Sequence, residues 1–154
     1  PGEQVDVEPL GGAVARNVNS GGAHLAADDE TAAFRLVKEL LAYLPQNNSE
    51  DPPRVTPYDD PARHDASLDH LVPEDSSQPY DMRQVISSVF DRGSFLEVHA
   101  HYAPNALVGL ARLDGFPVGV VANQPMYLAG VLDIDSSDKI ARFVRFQLGE
   151  SFEK

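Results

Sequence analysis

Residues 45–79 constrain the fold most, because this proline-rich, acidic stretch divides the 154-residue chain into two patterned blocks. It holds seven of the twelve prolines, and its eight acidic residues outnumber its two arginines. Proline has no N–H to donate and the stretch shows no apolar periodicity, so neither a long helix nor a central strand is predicted. Its 35 residues are too many for an ordinary loop. We predict a linker at a domain boundary, either disordered or laid along a surface in extended form.

One helix is predicted before this linker. Asp28 or Asp29 is placed to cap its start, and apolar residues recur at three- and four-residue spacing from Ala33 to Leu44. Pro45 lies just beyond its end. Residues 1–27 are Gly-rich and are predicted to form turns between short extended pieces.

A helix, a strand and a hairpin are predicted after the linker. Asp81 and Gln84 have the spacing of a capping box at the helix start. Residues 95–102 alternate in the manner of a strand. Asp114-Gly115 is a strong two-residue turn signal between residues 106–113 and 116–122. The second arm of this hairpin is nearly all apolar, so we predict that it is the inner strand, buried on both faces.

A last helix is predicted after a loop. Ser136 or Ser137 is expected to cap it, and its inner face carries Ile140, Phe143, Val144 and Leu148.

Composition excludes several classes of function. Twelve Lys and Arg against 24 Asp and Glu give a net charge of −12, which disfavours binding to nucleic acid or to anionic lipid. The sequence has no cysteine, so it holds no disulfide, thiolate metal site or cysteine nucleophile. No apolar run approaches the ~20 residues of a membrane span, and no signal peptide opens the sequence. A cytoplasmic protein is expected, and the missing initiator Met suggests that the chain is processed, cut or part of something longer.

Two residue pairs have the composition of a metal site. His99 and His101 would share one face of the predicted strand, but no third ligand accompanies them, so we interpret them as surface histidines. Asp133 and Asp135 could bind a hard cation, but such a site needs about six oxygen ligands, and helix capping explains these residues better. We predict no metal site.

The segment 121–130, which links a predicted strand to the last helix, is more informative. Ala129-Gly130 would let the backbone approach a ligand closely, and free N–H groups at such a turn can stabilise an oxyanion. An ordinary strand-to-helix connection explains the same residues. The residues alone leave both interpretations open, and the sequence contains no nucleophile elbow, phosphate loop or dinucleotide motif.

A set of motifs spans roughly residues 1–146. The set comprises Leu10-Gly-Gly-Ala13, Ser20-Gly-Gly-Ala-His24, Tyr43-Leu-Pro45, Pro79-Tyr-Asp-Met-Arg-Gln-Val-Ile, Gly93-Ser-Phe-Leu-Glu-Val, Asn105-Ala-Leu-Val-Gly-Leu-Ala-Arg, Gly115-Phe-Pro-Val-Gly-Val-Val-Ala-Asn-Gln-Pro and Ala129-Gly-Val-Leu-Asp-Ile-Asp-Ser-Ser-Asp-Lys-Ile-Ala-Arg-Phe-Val-Arg. Together these motifs resemble the carboxyltransferase (beta) subunit of biotin-dependent acyl-CoA carboxylases, of the propionyl-CoA carboxylase beta kind.

The resemblance implies an α/β fold, an incomplete crotonase-like ββα superhelix. Residues 1–45 would end an N-domain, residues 46–79 would be the linker, and residues 80–154 would begin a C-domain. It also implies an oligomer, usually a hexamer, that works with a biotin carboxylase and a biotin carrier subunit. The implied reaction moves a carboxyl group from carboxybiotin to the α-carbon of propionyl- or acetyl-CoA. Two oxyanion holes of backbone donors would perform it without a metal.

The resemblance also limits which residues carry function. The oxyanion motifs of the family do not occur in these 154 residues, so no catalytic residue is assigned and the isolated chain is expected to be inactive. The candidates for the biotin pocket are Asn123, Gln124, Ala129 and Gly130. Arg16 stands where the family often has His, and the pattern departs from the family after Arg145, so the end is expected to be truncated or altered. A non-catalytic structural or assembly protein of a carboxylase complex is the alternative.

Overall fold

A three-stranded antiparallel sheet forms the centre of the computed structural model, which describes residues 17, 18, 20–57, 59, 60, 62–75 and 77–147. Its strands are β1 (Leu96–Val98), β2 (Ala106–Leu113) and β3 (Phe116–Asn123), in that spatial order. The described helices are α1 (Glu30–Leu41), α2 (Leu68–Leu71), α3 (Met82–Val89) and α4 (Ile134–Gln147), and a 3-10 turn (Leu128–Gly130) precedes α4. None of these helices is long and apolar enough to cross a membrane.

The predicted starts of α1 and α3 are confirmed. The Asp29 side chain accepts a hydrogen bond from the Ala32 N–H at 2.7 Å, and Asp81 accepts one from the Arg83 N–H at 3.0 Å. These carboxylates satisfy N–H groups that have no partner inside the helix.

The start of α4 corrects the sequence prediction. Asp133, not Ser136 or Ser137, caps this helix: its Oδ1 accepts from the Ser136 N–H at 2.9 Å, while the Asp133 N–H donates to Ser136 Oγ at 2.8 Å. Ser136 is therefore the reciprocal partner of the cap, three residues into the helix. On the predicted inner face Phe143 is buried, whereas Val144 is exposed and Leu148 lies outside the described residues.

The hairpin is confirmed, but its inner strand is not the one predicted. Asp114 and Gly115 form the turn with φ of 49° and 77°, and β2 pairs with β3 from Ala106↔Asn123 to Leu113↔Phe116. β2 is buried over seven of its eight residues, whereas only Val120 is buried in β3. The reason is position: β2 lies between two strands, and β3 is an edge strand within the described residues.

Two apolar clusters cover the two faces of β2. Val108 and Leu110 face one cluster, where α1 and α4 pack, and Leu107 and Ala111 face the other, where α3 packs. This alternation follows from the two-residue period of a strand. The sheet is therefore sandwiched between helices from both sides of the predicted linker.

The predicted strand 95–102 is shorter than expected. It ends at Val98 because His99 adopts a left-handed φ of 56°. Both interpretations of the histidine pair are wrong as stated, since His99 is only 2% exposed and His101 is exposed outside the strand.

The proline-rich stretch lies along the surface and includes the short helix α2, which the sequence did not predict. The Val55 N–H donates to Gly115 O at 3.1 Å, and the Arg63 guanidinium donates to Ser88 O and Phe90 O at 2.8 and 2.6 Å. These bonds attach the stretch to the second block. The domain boundaries at 45 and 79 stay predictions, and the predicted turns within residues 1–16 lie outside the described residues.

Candidate functional site

The loop that follows β3 has an unusual backbone. Leu128, Ala129 and Gly130 adopt left-handed φ values of 49°, 50° and 75° in succession. A left-handed residue with a side chain is less stable by about 1–2 kcal/mol than its right-handed form. A Cβ at Gly130 would lie 2.8 Å from Asn123 Nδ2, so any larger residue there would have to displace the end of the Asn123 side chain, and the φ of 75° also favours glycine. Asn123 and Gly130 are therefore neighbours, and this strained turn is a candidate for function.

Gln124 fastens the beginning of this loop. Its side chain is fully buried, its Nε2 donates to Asp81 Oδ1 at 2.6 Å, and its Oε1 accepts from the Met82 N–H at 3.1 Å. Burial by itself raises the pKa of Asp81. Hydrogen bonds from the N–H of Arg83 and from the Gln124 amide lower it by more, so the pKa is below its ordinary value. Gln124 thus ties the loop to the start of α3, and its amide is not free to meet a ligand.

Asn105 fastens the end of the loop. Its side chain is 2% exposed, and its Nδ2 donates to Val131 O at 2.8 Å and to Ser136 Oγ at 3.1 Å. The Gln124 N–H donates in turn to Asn105 O at 2.8 Å. Both ends of the loop are therefore held by buried amide side chains.

A cleft of about 390 Å³ opens between this loop and the start of α4. Met126, Tyr127 and Leu128 supply an apolar wall, and Asp133 and Asp135 supply carboxylates. The Ser136 hydroxyl and N–H lower the pKa of Asp133. The volume is within the about 300–1,000 Å³ of ordinary ligand sites.

The structure brings the four predicted pocket residues into one loop but gives them different environments. Asn123 and Ala129 are exposed, whereas Gln124 and Gly130 are buried. The Gly130 N–H donates to Tyr127 O at 2.8 Å, so it is not a free oxyanion donor. None of these four residues lines the 390 Å³ cleft; their neighbours 126–128 do.

Lys139 supports the floor of the site, and sequence reasoning missed it. It is fully buried, and its Nζ donates to Ala106 O and Tyr102 O at 2.7 Å and to His99 O at 2.9 Å. Burial lowers the pKa of this lysine to about 8. Its spacing from Ser136 and Phe143, three and four residues, is the signal that places it on the inner face of α4.

No group of His, Cys, Asp and Glu that could hold a metal occurs among residues 17–147 as far as they are described. The Asp133–Ser136 bonds confirm that Asp133 serves as a helix cap.

Comparison with known proteins decides the family. The carboxyl transferase domain family matches residues 1–150. The chain belongs to this family. The carboxyltransferase subunit of propionyl-CoA carboxylase from Haloferax mediterranei is 51% identical to this carboxyl transferase domain segment over 145 residues, and the alpha subunit of methylmalonyl-CoA decarboxylase from Veillonella parvula is 50% identical. Each match covers 94% of this chain and 28% of the relative, so the segment spans little more than a quarter of its relatives' length.

Solved structures agree with this assignment. A crystal structure of transcarboxylase 12S, with methylmalonyl-CoA and methylmalonic acid bound, superposes with a TM-score of 0.88 at 45% identity. It matches 94% of this chain, which covers 28% of that structure. A single-chain, multi-domain long-chain acyl-CoA carboxylase superposes with a TM-score of 0.76 at 29% identity, over 91% of this chain and 13% of that structure. The predicted crotonase-like α/β fold is thereby confirmed as a partial carboxyl transferase domain.

Proposed function

We propose that this chain is part of an acyl-CoA carboxyltransferase that moves a carboxyl group from carboxybiotin to the α-carbon of an acyl-CoA, propionyl- or acetyl-CoA. The observation that carries the proposal is the family match over residues 1–150, supported by relatives named for propionyl-CoA and methylmalonyl-CoA. Carboxybiotin would supply the activated carboxyl group, and the residues described here would shape the place where it meets its acceptor.

The cleft beside residues 126–128 suits a compact ligand better than a polyphosphate. Asp133 and Asp135 line it and carry negative charge, which repels the several phosphate charges of CoA more strongly than the single carboxylate of carboxybiotin. Its apolar wall of Met126, Tyr127 and Leu128 matches the apolar tetrahydrothiophene ring of biotin. We therefore assign this cleft and the adjoining residues Asn123, Gln124, Ala129 and Gly130 to the biotin side of the reaction. Gln124 acts there by holding the loop.

The proposed partners are other carboxyltransferase subunits, which supply the rest of the active site, and a biotin carboxylase with its biotin carrier. A transcarboxylase described as a hexamer assembly and multienzyme core supports an oligomer. A cytoplasmic location is part of the same proposal.

Decarboxylation of methylmalonyl-CoA or malonyl-CoA in the presence of free biotin tests this function. The full-length polypeptide that carries this sequence is expected to be active. The 154-residue chain by itself is expected to be inactive, because each lost oxyanion donor lowers the rate about 100- to 1,000-fold. Turnover by the purified short chain, free of host carboxylase, would overturn the assignment of the active site to missing segments.

A loop variant tests the biotin side separately. Gly130→Ala in the full-length polypeptide is expected to raise the KM for free biotin several-fold and to leave the KM for the acyl-CoA unchanged, since its Cβ would displace Asn123. Gly93→Ala is the matched control, because Gly93 has a φ of 71°, similar to that of Gly130, but no atom within 4 Å of the added Cβ. An effect on the KM for the acyl-CoA alone would place the loop on the CoA side.

A further inference from the structure

The Nζ of Lys139 lies in a cage of backbone carbonyl groups. The side chain is completely buried. Four carbonyl oxygens surround its Nζ: Ala106 O and Tyr102 O at 2.7 Å, His99 O at 2.9 Å and Ala103 O at 3.3 Å. An ammonium group has three N–H donors, so the three shorter contacts are enough to use all of them. Three of the four carbonyl groups belong to the loop of residues 99–105, which joins β1 to β2, and the fourth begins β2.

This carbonyl cage has the chemistry of a site for a monovalent cation, in which carbonyl oxygens replace the water shell of the ion. No carboxylate lies within 4 Å of the Lys139 ammonium in the part of the chain that the structure describes. The carbonyl dipoles, rather than an ion pair, therefore stabilise the buried charge. Burial lowers the pKa of Lys139 to about 8, Glu97 opposes this shift, and the amine is mostly protonated near pH 7.

The loop of residues 99–105 has an unfavourable backbone. His99 and Ala103 adopt left-handed φ values of 56° and 44°. Residues with a side chain are less stable in this region than in the right-handed one. The carbonyl groups of both residues belong to the cage. The Lys139 ammonium thus offsets the cost of this conformation, because it satisfies the acceptors that the loop brings to one point.

The same loop forms one side of the cleft that residues 126–128 line. Four consecutive loop residues contribute to the lining: Tyr102, Ala103, Pro104 and Asn105. The Tyr102 hydroxyl donates to Asp135 Oδ1 at 3.1 Å, and Asn105 fastens the end of the 121–130 segment. Lys139 itself does not line the cleft. A change at Lys139 would therefore reach the cleft only through the loop.

We propose that Lys139 is a positioning residue of this cleft: its ammonium group acts as a cation attached to the chain, and it holds the loop of residues 99–105 in the shape that receives biotin. The donors and the charge of the amine, not the bulk of the side chain, carry this role. The inference rests on the proposed function, because it assigns the cleft to the biotin side of the reaction.

Chemical rescue in the full-length polypeptide tests the cage. Lys139→Ala removes three carbons and the amine, and propylammonium replaces those atoms. At about 50 mM, propylammonium chloride should raise the melting temperature of Lys139→Ala by about 2 °C or more and leave the wild-type value unchanged. Tetramethylammonium chloride at the same concentration should have no such effect, because this cation has no N–H donor. Lys139→Met should not respond to propylammonium, because its own side chain fills the space.

The KM values in the decarboxylation assay test the positioning role. Lys139→Ala should raise the KM for free biotin at least about threefold and leave the KM for the acyl-CoA unchanged, and propylammonium should restore the KM for biotin. Arg145→Ala, at an exposed position of the same helix, should change neither KM. A role in stability alone would leave the KM for biotin unchanged in the folded variant.

Lys139→Arg keeps the test decisive if Lys139→Ala does not fold. A guanidinium is planar and larger than an ammonium, so it cannot direct its donors to four converging carbonyls. This variant should therefore also raise the KM for biotin alone. An unchanged KM for biotin in the variant that folds, or a rescue that tetramethylammonium matches, would overturn the proposal. Wild-type protein without biotin-dependent turnover would count against the proposed function, while the melting temperatures would still test the cage.

Discussion

β2 and β3 are the two arms of one hairpin, and both are eight residues long, yet they lie in opposite environments. β2 is buried almost throughout, with Leu107 and Val108 completely inaccessible. β3 exposes about half of the surface of Phe116 and 45% of Val121. Apolar content does not separate the two strands, so burial in this domain is decided by which strand has neighbours on both sides.

The buried strand β2 also carries a polar side chain whose hydrogen bonds join several parts of the fold. Arg112, in β2, is 6% exposed and donates to Ala42 O, Pro53 O and Gly115 O at 2.7 to 2.9 Å. Its guanidinium also stacks on the Tyr43 ring, 4.6 Å from the centroid. A single β2 side chain therefore joins α1, the proline-rich stretch and the hairpin turn. β3 carries no side chain of this kind within the described residues.

The largest expected loss of stability comes from replacing Lys139, which donates a hydrogen bond to Ala106 O at the start of the buried strand β2. Lys139→Met keeps most of the length of the side chain but leaves Ala106 O and Tyr102 O without this donor, so the free energy of unfolding should fall by about 3 kcal/mol. Arg145→Met on the exposed face of the same helix should change it by less than about 0.5 kcal/mol. Urea unfolding of both variants measures the difference. Equal stabilities would show that the buried side does not depend on this lysine.

The turn between the strands comes next. Gly115 has φ of 77°, and a Cβ there would overlap Val55 O, so Gly115→Val should lower the free energy of unfolding by about 3 kcal/mol. Gly93→Val has nearly the same φ and no atom within 4 Å of its Cβ, so it should cost about half as much. A melting temperature that does not change in Gly115→Val would refute the turn assignment.

Two glycines compare the strands directly. A Cβ at Gly109 in β2 would lie 2.5 Å from Leu96 O and 2.7 Å from the Phe95 ring, so Gly109→Ala should cost about 1–3 kcal/mol. A Cβ at Gly119 in β3 would meet only the flexible end of Gln147, at 3.0 Å. Gly119→Ala should therefore change stability by less than about 0.5 kcal/mol. Chemical denaturation that gives the reverse order would mean that β3, not β2, is the confined strand.

The effect that is smallest near neutral pH is a pH dependence of the stability of the buried side. The pKa of His99 is about 4 in the folded chain, below its ordinary 6.5, so the unfolded chain takes up this proton first. The contribution to stability is complete above about pH 6.5 and is lost as the pH falls toward 4. Stability measured across this range should lose part of its pH slope in His99→Phe and keep it in His101→Gln, an exposed control. Identical pH slopes of stability in both variants would show that His99 does not cause the pH dependence.

Local signals predicted the parts of the fold that neighbouring residues decide. Asp29 and Asp81 cap their helices as expected, and Asp114-Gly115 forms the hairpin turn. Each of these depends on a few consecutive residues and on backbone geometry. The segment 121–130 connects a strand to the last helix as the sequence predicts, but its left-handed turn and the two amides that hold it are not predicted by the sequence.

Contacts between distant residues account for the errors. β2 is the inner strand because it pairs with β1 as well as β3 and because helices cover both of its faces. The residues of β2 and β3 by themselves do not predict this difference. His99 looked like one of a pair of strand histidines, but Gly21, His24 and Lys139 surround its turn from other parts of the chain.

Sequence by itself determined the starts of α1 and α3, the hairpin turn, the absence of cysteine chemistry and, through its motifs, the carboxyl transferase family. These properties reside in short runs of residues, whose backbone preferences and chemistry are local. Tertiary structure alone decided which strand is buried, that Gln124 and Asn105 hold the loop, and that His99 and Lys139 are brought together inside the fold. Those outcomes arise because burial and pairing depend on residues that are far apart in the chain and are brought together only when it folds.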